Sequence, residues 1–159
     1  MWQYDLSEKH SKRRYPGRGV NEIKALLTKA ERSLRSAEAE LKAGNLDFAA
    51  SRAYYGSFYI AEALLATEGY TYSSHGKMIA QYGLVFSQPE KLDRRFHRLL
   101  IDAFDLRQIG DYEALFEASP EEVLEVIQGG REFLEAASRY LDQLSGTVEN
   151  GGGGEGGEG

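Results

Sequence analysis

The string Arg107-Gln108-Ile109-Gly110-Asp111-Tyr112 holds the residues of this chain best placed to do chemistry. Leu92, Phe96, Leu99, Leu100 and Ala103 recur at helical spacing, and Arg107 continues that apolar row four residues after Ala103. A guanidinium cannot shed its charge to escape burial. On an inward row it needs a partner, a ligand or a wet groove. Pairing with Asp105 or Asp111, or capping its own helix end, would satisfy it. A ligand or interface role is favoured because the arginine lies on the buried row. Arg107, Asp111 and Tyr112 are the candidate catalytic set, and Arg107, Tyr112 and His75 the candidate nucleotide- or RNA-binding set.

The elements that must position these residues are all helical. Ile23, Leu26, Leu27, Ala30, Leu34, Ala37 and Leu41 form one stripe, predicting a helix over about Asn21–Ala43 with Asn21 as its cap and Gly44-Asn45 as its stop. A second helix over about Leu46–Glu68 is apolar around most of its circumference, which predicts a central position. Its Tyr54 and Tyr55 read as packing residues. Ser74 is suited to cap a short helix containing His75, Met78, Ile79 and Tyr82. His75 there reads as structural, capping that helix or bonding across the bundle, or as a ligand. Pro89 fits the first turn of a helix reaching about Arg107, with Gly110 as a break and Tyr112 as a half-buried residue holding that break or a site residue. His97 is expected on the solvated face with Arg94 and Arg98. Ser119-Pro120-Glu121-Glu122 is a strong start signal for a last long helix. The fold class is therefore all-α: an up-and-down antiparallel bundle of four main helices plus a short one. Residues 1–20 read as an irregular leader, 21–145 as the bundle and 146–159 as a flexible Gly/Glu tail.

Composition narrows the function classes. The 159 residues suit one domain, and 42% hydrophobic residues suffice for a core. The absence of cysteine excludes disulfides and thiolate metal sites. A net charge of −6 argues against gripping nucleic acid by bulk charge, though a local groove can still be basic. Lys12, Arg13, Arg14 and Arg18 read as a solvated leader, and the role of Arg94, Arg95 and Arg98 stays open. No apolar run approaches a membrane span and no signal-peptide region opens the chain, so a cytoplasmic protein is expected. There is no zinc-ligand pattern, no phosphate-cradling glycine loop and no nucleophile elbow, so no metal and no cofactor are expected.

Three stretches resemble the HEPN domain, in particular its small prokaryotic UPF0332-type branch. They are the helix pair from Leu27 to Leu65, with Ala53-Tyr54-Tyr55-Gly56-Ser57-Phe58; the stretch Ser74-His75-Gly76-Lys77; and Leu106-Arg107 followed by Asp111-Tyr112. The resemblance spans about residues 21–144. It implies a bundle that forms a homodimer, with the arginine facing a cleft at the interface. It also implies a metal-independent ribonuclease, often a toxin paired with a minimal nucleotidyltransferase. In that family an arginine is followed four to six residues later by a histidine, which moves protons as the ribose 2′-hydroxyl attacks the phosphate.

This chain departs from that pattern. Tyr112 stands where the motif histidine is expected, and no histidine follows it. A phenol with an ordinary pKa near 10 is a poor base at neutral pH, and a carboxylate at Asp111 is awkward beside an RNA phosphate. Three readings follow. The first is a nucleotide- or RNA-binding or partner-docking module acting with a separate minimal nucleotidyltransferase. The second is an active endoribonuclease toxin using Arg107 with Tyr112 or Asp111. The third makes Tyr112 an acceptor of AMP from that nucleotidyltransferase, although the family's acceptor position corresponds to Ala114.

Overall fold

The computed structural model describes residues 19–112, 114, 115 and 118–150. The leader up to Arg18, its basic cluster and the tail from Gly151 lie outside the described residues. Five α-helices and one π-helical turn follow one another: α1 Val20–Lys42, α2 Leu46–Thr67, α3 His75–Tyr82, the π turn Gly83–Ser87, α4 Arg95–Tyr112 and α5 Pro120–Asn150. The described residues contain no strand, and the class is all-α as the periodicities predict.

The core is built around α2. Ala49, Ala53, Tyr54, Ile60, Leu64 and Leu65 of this helix are fully buried, with α1, α4 and α5 packed about it. Two close approaches explain its small residues. A Cβ on Gly56 would lie 2.7 Å from Leu34 Cγ, and one on Gly130 of α5 would lie 2.7 Å from Leu34 Cδ2. Leu34 of α1 thus fills a socket between α2 and α5 that any larger side chain would close. Arg131 of α5 reinforces the α1 contact through Glu38 at 2.8 Å and Glu31 at 3.1 Å. Helices α4 and α5 run antiparallel, since Phe96 stacks on Phe133 at 4.9 Å while a Cβ on Gly129 would meet Leu99 at 2.7 Å.

Several boundaries differ from the sequence expectation, each for a local reason. Helix α1 begins one residue early with Gly19 as its cap, so Asn21 is helical and makes no cap. Gly44 ends it with φ +81°, and Asn45 N donates to Glu40 O at 2.9 Å. Pro89 does not start α4. It lies in a turn that includes Glu90 at φ +56°, and α4 starts at Arg95, whose N–H donates to Asp93 Oδ1 at 2.9 Å. Gly110 does not break α4 either. One glycine costs a helix about 1 kcal/mol, and the Arg107–Asp111 pair, four residues apart, bridges that position. At the start of α5, Ser119 N donates to Glu122 Oε2 at 2.9 Å and Glu122 N to Ser119 Oγ at 3.2 Å, the expected reciprocal cap. That helix continues to Asn150, so residues 146–150 are helical rather than part of a tail.

His97 is also placed differently. Instead of lying among solvated arginines, it packs over the π turn. Its Nε2 donates to Ile79 O at 3.1 Å, and a Cβ on Gly83 would lie 2.6 Å from its Cε1. The turn itself closes by Gln88 N donating to Gly83 O at 2.8 Å, five residues back. Arg94, Arg95 and Arg98 do face solvent, held by Glu90, Glu132 and Asp102.

Burial holds both described histidines, His75 and His97, below the ordinary histidine value of 6.5, with the Arg107 charge adding to the effect at His75. The unfolded chain therefore binds more protons near pH 6, and stability rises with pH there. It is complete above about 6.5 and is lost as pH falls from that value towards the folded-state pKa values. A lower Tm at pH 5.5 than at pH 7.5 is expected in calorimetry, with part of the difference absent in His97→Gln. An unchanged Tm would contradict the burial of both rings.

Candidate functional site

Three elements bring the sequence candidates to one place. Helix α2 presents Tyr54, Tyr55 and Phe58. Ser74 caps α3 by accepting from Lys77 N at 3.3 Å, which fixes His75 in its first turn. Helix α4 supplies Phe104 and Arg107 one turn apart.

The imidazole of His75 stacks on Phe58 at 4.5 Å and meets the edge of Tyr55 at 6.0 Å. The Tyr54 hydroxyl lies 2.7 Å from His75 Nδ1. The guanidinium of Arg107 sits over the Tyr55 ring at 5.0 Å and the Tyr54 ring at 5.5 Å. Aromatic faces attract the cation without neutralising it. The side chain of Arg107 is 23% exposed, and its Nε lies 3.1 Å from Asp111 Oδ2. That N–H does not point at the carboxylate, so Nε is buried without an acceptor. Arg107 thus sits on two rings beside one carboxylate among the described residues, with part of its side chain exposed.

The Tyr54–His75 bond fixes a proton. Tyr54 is fully buried, burial pushes its phenol far above the ordinary value of 10, and among the described residues its hydroxyl has no other partner. If it accepted from Nδ1, its own hydrogen would be stranded in the core at a cost of about 1–3 kcal/mol. It therefore donates to Nδ1, and the neutral ring carries its hydrogen on Nε2. His75 then offers a hydrogen-bond donor at Nε2 and not a proton acceptor. Nitrogen NMR at pH 7.5 is expected to show protonated Nε2 and bare Nδ1 at His75, a bias lost in Tyr54→Phe. A bare Nε2 in the unsubstituted protein would refute the assignment.

The remaining candidates divide. Asp111 stands at the rim as the counter-ion of Arg107. Tyr112 is 84% exposed and joins none of the cluster's ring contacts, so it neither holds a break nor is half-buried. Reading Tyr54 and Tyr55 as packing residues was incomplete: they pack, and they also carry Arg107 and orient His75. Their adjacency in a helix that also carries Phe48, Phe58 and Tyr59, 40 residues before Arg95, the first basic residue of α4, gave no sequence signal for that role. Among the described residues no cluster of acidic and histidine side chains could hold a metal, and no helix is long and apolar enough to cross a membrane.

This architecture is a five-helix bundle with a partly exposed arginine on an aromatic platform beside a histidine. The HEPN domain model matches residues 23–140. A protein of Methanocaldococcus jannaschii named "Putative toxin" is 32% identical over 120 residues, which cover 76% of this chain and 82% of that protein. A "UPF0332 protein" of Thermotoga maritima is 30% identical over 73% of this chain and 88% of its own length. Another of Gloeobacter violaceus is 33% identical over 74% and 94%. The chain belongs to the HEPN family, in its UPF0332-type branch.

Proposed function

We propose that this chain is a toxin-like HEPN module whose Arg107 cleft binds the phosphate of a nucleotide or an RNA segment. The observation that carries the reading is the state of Arg107: clamped on two tyrosine faces, its side chain still 23% exposed, with Asp111 as its one carboxylate partner among the described residues. A phosphate oxygen suits the part of the guanidinium that stays exposed, since the side chain keeps some of its surface while Nε itself is buried, and the Nε2–H of neutral His75 would be a second donor. The names of the relatives support the toxin-like character, and the family resemblance supports a homodimer acting with a separate minimal nucleotidyltransferase.

One observation favours a second reading, a metal-independent ribonuclease. The fold places a histidine beside the arginine even though none follows it in sequence. His75 could accept the 2′-hydroxyl proton only in its other tautomer, which the Tyr54 bond disfavours, so binding is the better-supported function.

One experiment separates the two: labelled RNA and ATP titrated into the purified protein in EDTA, with intact RNA followed on a gel. Binding without cleavage is the expected result. Cleavage that His75→Ala removes would establish the nuclease, and absence of any binding would defeat the proposal.

A further inference from the structure

The outer face of α2 carries a second row that the Arg107 cleft does not use up. Phe48, Arg52, Tyr55 and Tyr59 recur at steps of four, three and four, so they share one stripe. Their exposure fits an outward stripe: Phe48 is 59% exposed, Arg52 is exposed, and both tyrosines are half-buried. The stripe is about 16 Å long at 1.5 Å per residue. Tyr55 and Tyr59 lie 6.0 Å apart with their planes inclined by 30°.

Its cations differ from the arginines that pair with acidic groups. Arg35, Arg94, Arg95, Arg98, Arg131 and Arg139 each meet a carboxylate. Lys29 of α1 instead lies over the Tyr59 ring at 4.5 Å, as Arg107 lies over Tyr55. Among the described residues neither Lys29 nor Arg52 meets a carboxylate. In a chain of net charge −6 the stripe therefore has one cation on an aromatic face, Lys29, and one exposed cation, Arg52, with no carboxylate partner for either among the described residues.

We infer that this stripe is a track for single-stranded RNA, continuing outward from the phosphate site at Arg107, on which the inference rests. Aromatic rings that stack bases, alternating with cations that follow the backbone, are what sequence-tolerant binding of a single strand requires. A protein partner would not need the cations left uncountered.

The test uses the full chain and a labelled 2′-O-methyl octauridylate, which cannot be cleaved through its 2′-oxygen, with ATP as the short ligand. Arg52→Glu and Tyr59→Ala are each expected to weaken octamer binding about tenfold or more and to leave ATP affinity unchanged. Arg52→Gln is expected to reduce the slope of log affinity against log salt by about 0.7. Arg52 is exposed, so its variants report even if Tyr59→Ala fails to fold. Unchanged octamer binding in the Arg52 variants, with loss in Arg107→Ala, overturns the track and leaves the cleft standing. Failure of the unsubstituted chain to bind either ligand defeats both. Conversion of a dimer to a monomer by Arg52→Glu, seen by light scattering, would make the stripe an interface between two copies and also overturn the track.

Discussion

Arg107→Ala is expected to remove ATP and RNA binding by the cleft, with a loss of affinity of at least tenfold and of the order of a hundredfold. A charge-assisted hydrogen bond contributes roughly 1.5–3 kcal/mol, and tenfold in affinity corresponds to 1.4 kcal/mol. The fold should survive. The substitution removes a partly exposed cation whose Nε is buried without an acceptor, and leaves Asp111 at a rim that water reaches. Arg107→Lys separates charge from geometry. An ammonium keeps the charge but cannot match the planar guanidinium on two tyrosine rings. It is expected to recover only part of the affinity. Titration calorimetry with circular dichroism on the same samples checks both statements. Equal affinity in Arg107→Ala and the unsubstituted chain would remove the basis of the proposed function.

The second large effect concerns stability. Phe133→Ala is expected to cost about 3–5 kcal/mol, the range for an aromatic side chain deleted from a packed interior. Phe133 is fully buried, stacked on Phe96 at 4.9 Å and edge-on to Tyr82 at 5.6 Å. It therefore joins α5 to α4 and to α3 at once, and neither rigid ring can collapse into the cavity. The loss is a large part of the 5–15 kcal/mol that stabilises most domains. For a chain of this length it lowers Tm by roughly 6–20 °C. A denaturation midpoint within a degree or two of the parent would mean that the three rings do not pack as described.

The bundle was legible because it is written in short-range periodicity. The stripes of α1 and α5, the largely apolar α2 and the Ser119 cap each specify an element with little reference to the rest of the chain. Pro89 and Gly110 misled for a common reason. Both are local signals that neighbouring contacts outweigh, the Asp93 cap in one case and the Arg107–Asp111 pair in the other. The cleft was half legible. Arg107 stood out because a charge on an apolar row conflicts with its surroundings. His75 could be selected but not placed, since its relation to Arg107 runs through Tyr54 and Tyr55, more than fifty residues earlier in the chain than Arg107. Contacts of that range leave no trace in spacing. His97 was misplaced for the same reason, because its neighbour across the bundle is a glycine, whose missing side chain shows only once both helices are in view.

The π turn at Gly83–Ser87 bears on how this protein tolerates changes of length. A bond spanning five residues accommodates one more residue per turn than an α-helix does. Removing any single residue from this turn would allow it to relax into ordinary α-helix, extending α3 without a break. Residues on either side of the turn would keep their phase, because a five-residue closure shortened by one becomes the four-residue closure of an α-helix. The bond from Gln88 to Gly83 would survive, and the imidazole of His97 would keep the bare backbone on which it rests. Point changes at exposed Leu84 alter only the surface. A one-residue deletion beside it would leave the flanking elements in phase, so this segment can lose a residue more readily than the regular helices around it.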